Sequence, residues 1–189
     1  SGRADQLHYD GRKEVMNLIG NVSITKDNRT LTSQAIDYYV PSNTGKYTSN
    51  GRLEDPKNVL TSIVGEYNFN TDNAVFTNNV DLVNSRDNYV IHTNKLLYNT
   101  RTNIAKLVEE AEITSDENKI ITSNGDYNTA TEKANLYVKN GVQPKLFAKD
   151  DRTLEGDSIH YDRHTGEGTA IGNVTVNDPK HHAILTGGY

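Results

Sequence analysis

The chain has 189 residues, 34% of them apolar, no cysteine and a formal net charge of −5. That length suits one domain or one repeat array, and the low apolar share suits a sheet with one wet face. No basic patch offers a footprint for nucleic acid, no thiol supports a disulfide or thiolate site, and no run of about 18 apolar residues could span a membrane.

In chain order, the strand candidates are short and alternate with period two. Leu7–Tyr9 comes first. Val22 and Ile24 flank Ser23 in "GNVSI", followed by "RTLTSQAIDY", "NGRLED" and "NVLTSIVGEY". Val80 and Leu82 flank Asp81 in "NNVDL", before "YVIHTNKLLY", "EEAEI", "KIITSNGDY" and "NGVQ". "RTLEGDSIHY", "GNVTV" and "AILTGGY" close the series. Alternation of this kind predicts half-buried strands, and the Asn, Asp and Gly clusters between them predict tight turns.

The candidates obey a longer period. Tyr9, Tyr38, Tyr67, Tyr98, Tyr127, Tyr161 and Tyr189 are spaced, by subtraction, 29, 29, 31, 29, 34 and 28 residues apart. Two residues before each stands an apolar residue or glycine: Leu7, Ile36, Gly65, Leu96, Gly125, Ile159 and Gly187. A period near 30 along the whole chain is a repeat architecture. One unit of two strands cannot bury its apolar face, but stacked units can. The expectation is an all-β, repeat-built jellyroll or open two-sheet roll, with about two strands per repeat and a single domain over 1–189. The repeat tyrosines are expected to be structural, each stacking on the next and locking the register through its ring and its OH, with Gly65, Gly125 and Gly187 making room for a neighbouring ring.

Catalytic and metal chemistry find little support. His160 and His164 flank Tyr161 beside Asp157, but the slot before Tyr is mostly polar across the repeats, which puts His160 on the wet face. His181 and His182 are adjacent and so diverge on a strand. Glu110 and Glu112 alternate with Ala111 and Ile113, again as a solvated face. No phosphate-loop or dinucleotide fingerprint occurs. No catalytic residue, metal or cofactor is assigned.

The repeated phrase Gly-Asn-Val, then Leu-x-Ser, then Tyr, closed by "GNVTV…ILTGGY", resembles the OstA-like/LptA family of lipopolysaccharide-transport proteins. It is also similar to the N-terminal domain of LptD. The resemblance covers nearly the whole chain. It implies a twisted β-jellyroll, a periplasmic location in the envelope of a diderm bacterium, no enzymatic activity, and an apolar interior that carries the acyl chains of lipopolysaccharide or another acylated lipid. It also implies joining to other jellyroll modules by edge-strand addition. The residues expected to line the interior are Val22, Ile24, Leu31, Ile36, Leu53, Leu60, Val80, Leu82, Ile91, Leu96, Ile113, Ile120, Val142, Leu154, Ile159, Val174 and Val176. The terminal strands lack Pro or inward charge, so a head-to-tail homo-oligomer is expected. The chain starts inside one unit and stops at Tyr189 in another, as a fragment of a longer array would. The competing expectation is a structural or adhesive β-solenoid with a filled interior. A carbohydrate-active β-helix fits less well, because it builds each coil from three strands and groups its carboxylates.

Overall fold

A computed structural model describes residues 1–188; the seventh repeat tyrosine, Tyr189, lies outside the described residues. Twenty-one strands run β1 Gly2–Arg3, β2 Gln6–Asp10, β3 Val15–Lys26, β4 Arg29–Tyr39, β5 Thr44–Tyr47, β6 Gly51–Glu54 and β7 Val59–Ser62. They continue as β8 Val64–Asn68, β9 Asn73–Asn84, β10 Tyr89–Asn99, β11 Ile104–Leu107, β12 Ala111–Ser115, β13 Asn118–Thr122 and β14 Gly125–Asn128. The last are β15 Lys133–Tyr137, β16 Lys145–Ala148, β17 Thr153–Glu155, β18 Ser158–Asp162, β19 Glu167–Ile171, β20 Val174–Asp178 and β21 Ala183–Gly187, with one 3₁₀ turn at Pro179–His181. The fold is all-β, as the repeat pattern predicts.

All the strands join in one antiparallel sheet that is creased along its length into two walls. The first wall, which carries the repeat tyrosines, pairs β2, β3, β4, β5, β8, β9, β10, β11, β14, β15, β18 and β19 in that order. The second pairs β1, β3, β4, β6, β7, β9, β10, β12, β13, β16, β17, β20 and β21. The long strands β3, β4, β9 and β10 belong to both walls. Elsewhere the chain breaks at the crease, so each of the two passes per repeat supplies a segment to either wall. That is why the strands outnumber the roughly two per repeat read from the sequence.

The Gly-Asn-Val phrase makes the crease. Gly20 and Asn21 both have positive φ, as do Asn78 and Asn79, and Gly172 and Asn173. Two successive left-handed residues turn the strand sharply before the next inward valine. Asp5 clamps the first corner, accepting from Asn21 Nδ2 at 2.9 Å, and Asp157 clamps the last, accepting from Asn173 Nδ2 at 2.8 Å. A Cβ on Gly20 or Gly172 would collide with that aspartate, so glycine is required twice over. Nine of the fifteen non-glycine residues with positive φ are asparagines, which accounts for the asparagine-rich composition.

At the opposite ends of the strands, the residue after the repeat tyrosine makes the turn. Asn68, Asn99, Asn128 and Asp162 each accept backbone N–H bonds two and three residues on, at 2.8–3.3 Å. These are Asx turns, in which the side chain replaces a backbone carbonyl. The core between the walls is continuous from Leu18 to Tyr161.

Candidate functional site

The region to test is the interior, whose two walls are not in step. The turns at the free edge of the second wall lie at 27–28, 55–58, 85–88, 116–117, 149–152 and 179–182. Those of the first wall lie at 11–14, 40–43, 69–72, 100–103, 129–132 and 163–166. Where the two rows touch, each second-wall turn meets a first-wall turn two or three places further along. Arg29, after the first, donates to Thr100 O at 2.7 Å and pairs with Asp72 at 3.9 Å. Asp55, in the second, accepts from Tyr98 OH at 2.8 Å, and Asn58 donates to Thr129 Oγ1 at 3.4 Å. The carbonyl of Asn88 accepts from Arg163, and Asn118 donates to Tyr161 OH at 2.6 Å. The offset leaves the first wall overhanging at the N-terminal end and the second wall overhanging at the C-terminal end.

Each overhang forms a mouth. The N-terminal one is a cavity of about 780 Å³, with Leu7, Met16, Leu18, Tyr38 and Phe69 on one side and Ile24 on the other. Arg3 and Lys26 stand among the residues that border it. The C-terminal mouth, about 550 Å³, has Leu146, Ala148, Leu154, Val176 and Tyr161 inside, with Lys149, Asp150 and Arg152 among the residues around it. Between the mouths the interior is filled. Leu31, Val80, Leu82, Ile91, Leu96 and Ile159 are wholly buried, and Val22, Ile36, Leu53, Leu60, Ile113 and Ile120 nearly so.

The expected lining residues thus divide. Twelve of them pack in the centre against one another. Ile24 lines the N-terminal mouth, and Leu154 and Val176 the C-terminal mouth, with Val174 half-buried on the same strand as Val176. Val142 does not belong to the interior and is corrected here: it is 60% exposed. Its Asn140-Gly141 pair has the left-handed geometry of the corners, but Lys139 and Val142 exchange both backbone hydrogen bonds across it. The result is a tight hairpin that holds the valine outside. Leu7, Met16, Leu18, Tyr38 and Phe69 were not singled out as lining residues; their place at the mouth comes from the offset of the walls, which no local pattern encodes.

The repeat tyrosines do not stack on one another among the described residues. Tyr67 meets Phe69 edge-on at 4.7 Å, and Tyr127 meets Tyr89 at 5.1 Å. The hydroxyls do the joining instead: Tyr67 to Asp72 and Thr100, Tyr98 to Asp55, Asn58 and Thr129, and Tyr161 to Asn118. Burial pushes the Tyr67, Tyr98 and Tyr127 phenols above their ordinary range, so they stay neutral. Tyr9 and Tyr38, on the overhang, have no such bonds among the described residues; Tyr9 is half exposed and only burial lifts Tyr38. Gly65 does make room for a ring, that of Tyr47, which also lies against Gly51 and bonds Ser62 at 2.7 Å. Desolvation lifts the Tyr47 phenol to about 12. Gly125 and Gly187 do not: one faces backbone of β15 and the other only Val174.

Asp72 is the most deeply placed charge of the seam, its side chain 5% exposed. Burial alone would raise its pKa. Hydrogen bonds from Arg101 and Tyr67 and the charges of Arg101 and Arg29 outweigh that and hold it below the usual carboxylate value. His160 bonds Asn135 at 2.9 Å while Asp157 accepts from Gln143 and Asn173, so these residues do not converge on a common point.

A family model described as OstA-like protein matches residues 2–88 and again 85–148. The chain belongs to the OstA-like family. Membership supports a role in lipopolysaccharide transport, in modules that are generally not enzymes. Among solved structures, this OstA-like chain is similar to LptH of Pseudomonas aeruginosa, the LptA-homologous periplasmic component of a lipopolysaccharide transport device. Identity is 16%, coverage 90% of this chain and 80% of that one, and the TM-score 0.25. A second likeness is to the E1021V mutant of the TCP10 domain of Danio rerio CPAP, with 12% identity, coverage of 97% and 99%, and a TM-score of 0.28. At those TM-scores neither neighbour bears on function. No curated protein matches.

Proposed function

We propose that this OstA-like chain is a non-enzymatic periplasmic module that works as a single roll over 1–189, holds the acyl chains of lipopolysaccharide at its N-terminal mouth, and bridges to like modules. The observation that supports this best is the mouth itself. It is apolar within and continuous with the core, it carries Arg3 and Lys26 among its bordering residues, and its size falls in the range of small-molecule sites. Apolar side chains left open to water are costly unless something covers them, and an acyl chain gains about 0.8 kcal/mol for each CH₂ it buries.

Bridging is supported by the ends. Leu7 on β2 is 61% exposed, and Ile184 and Leu185 on β21 are 69% and 66% exposed. β1 and β2 begin their walls and β19 and β21 end them, so each offers a backbone edge for strand addition. The two overhangs belong to opposite walls, which lets one module's tail lie against the next module's head.

The test is native mass spectrometry of gently extracted protein, with Ile24→Asp as the comparison. Co-purified acylated lipid that the variant loses supports the proposal; lipid-free protein on repeated extraction contradicts it. The filled centre favours a second reading, a structural or adhesive roll without ligand. Lipid-free protein that still associates head to tail would select that reading.

A further inference from the structure

The outer side of the crease carries a groove of about 700 Å³, distinct from both mouths and sharing only Arg3 with the N-terminal one. One cross-strand row runs along it, each residue directly opposite the next: Arg3 on β1, Ser23 on β3, Thr32 on β4, Arg52 on β6 and Thr61 on β7. In sequence these alternate with Val22, Leu31, Leu53 and Leu60, which point into the core, so the row faces outward. Strands lie about 4.8 Å apart, which sets the backbones of the two arginines roughly 14 Å apart along the row. The strand corners border it with Asn21, Gln34 and Asn50, all exposed.

The chemistry of the groove is one-sided. No carboxylate lines it, and Val22 and Ile63 are its only large apolar residues. Further along the outer face of the same wall the cations are neutralised: Lys119 meets Glu112 at 2.6 Å and Lys145 meets Glu155 at 2.5 Å. In the groove, Arg3 has no ion-pair partner among the described residues, and Arg52 gives one nitrogen to Glu54 and keeps the rest of its fork. Asp81, the next outward residue beyond Thr61, is held by His92 at 2.6 Å. A planar guanidinium matches the oxygens of a phosphate two at a time, and hydroxyls and amides match the hydroxyls of a sugar. No aromatic ring lines the groove, so hydrogen bonds and charge must supply the affinity, which should fall with salt.

Arg3 also borders the N-terminal mouth, and β1 is the free edge of the second wall. A lipid seated in that mouth therefore has its polar end beside the groove. Resting on the lipid-carrying reading above, we propose that the groove is a saccharide site. It binds the phosphorylated sugars of the same lipid, laid over β1 from the mouth, with Arg3 and Arg52 on their phosphates and Ser23, Thr32 and Thr61 on their hydroxyls. An apolar mouth cannot tell one acyl chain from another; the groove selects chains that are joined to an anionic saccharide.

The probe is the phosphorylated oligosaccharide left when lipopolysaccharide is stripped of its acyl chains. It is titrated into isotope-labelled protein and followed by backbone amide shifts. The expected shifts fall at Ser23, Thr32, Arg52 and Thr61, with Met16 and Leu18 in the mouth unmoved. Affinity should drop roughly three- to ten-fold in Arg52→Gln and in Thr61→Val, about one net hydrogen bond each, and stay unchanged in Lys119→Gln. Inorganic phosphate that binds as tightly as the oligosaccharide, or an oligosaccharide indifferent to Thr61→Val, overturns the proposal. Equal shifts with a soluble cell-wall glycan also overturn it, since the lipid would no longer be the source of the sugar. Intact lipopolysaccharide is titrated separately. If it shifts Met16 while the oligosaccharide leaves the groove unmoved, the saccharide site falls and the lipid-carrying reading stands. If the oligosaccharide shifts the groove while intact lipopolysaccharide leaves Met16 unmoved, the saccharide site stands and the lipid-carrying reading falls.

Discussion

The centre of the roll and its N-terminal overhang are built from the same repeat, yet they differ in nearly every physical respect. In the centre, Tyr67 and Tyr98 are buried and hydroxyl-bonded, Tyr98 to Asp55 across the seam; on the overhang Tyr9 is half exposed. Leu96 is wholly buried, whereas Leu7, two residues before its own repeat tyrosine in the same way, is 61% exposed. What separates them is position: the centre has an opposite wall and the overhang does not. A repeat therefore supplies an inward apolar face everywhere, and the offset of the walls decides where that face is sealed and where it is available to a ligand or another module.

The sharpest way to break this comparison is to put a charge into each region. Leu96→Asp should cost several kcal/mol, since the carboxylate would be buried without a partner, while Leu7→Asp should stay within about 0.5 kcal/mol. Thermal melting followed by circular dichroism checks both, and equal losses would show the overhang to be covered. Next in size, Gly65→Ala sets a Cβ against the buried Tyr47 ring and should cost about 1–3 kcal/mol, whereas Gly187→Ala, with only Val174 near it, should change nothing measurable.

Asp72 sharpens the comparison through pH. Its folded pKa lies below the unfolded value, so its ionised form stabilises the fold above about pH 4, and that contribution is lost as pH falls through the folded pKa. Asp72→Asn should lower stability at neutral pH by roughly 1–3 kcal/mol and should flatten the loss of stability in acid. Denaturant titrations at pH 7 and pH 3 measure both; an unchanged acid slope would remove Asp72 from the seam's account. The smallest effect is expected at the turns. Asn99→Ala deletes a side chain that accepts from Arg101 and Thr102 at 3.0 and 2.8 Å and should cost about 0.5–1.5 kcal/mol. Asp10→Ala, the same change on the overhang, should cost less, because β2 is bonded on one side only.

The repeat was readable because its inward residues recur at fixed distance from a tyrosine, and burial in the centre follows that phase from Ile36 through Ile159. The Tyr-Asn and Tyr-Asp pairs also recur in the sequence, at Tyr67, Tyr98, Tyr127 and Tyr161, and would have located the Asx turns. Val142 shows where local pattern stops: the same valine after two left-handed residues is inward at a corner and outward at a hairpin. Arg29, Asp55, Asn58 and Arg163 were not legible as seam residues, because their partners are set by how far one wall is displaced along the other, a property of the whole stack.

The measurement that bears most directly on the central claim is site-specific photocross-linking to lipopolysaccharide. A photoreactive residue would replace Met16 inside the N-terminal mouth or Val75 on the outer face of the first wall, 39% exposed. The account predicts a lipopolysaccharide adduct at Met16 and none at Val75. Equal labelling at both, or labelling at Val75 alone, would contradict a lipid held between the walls.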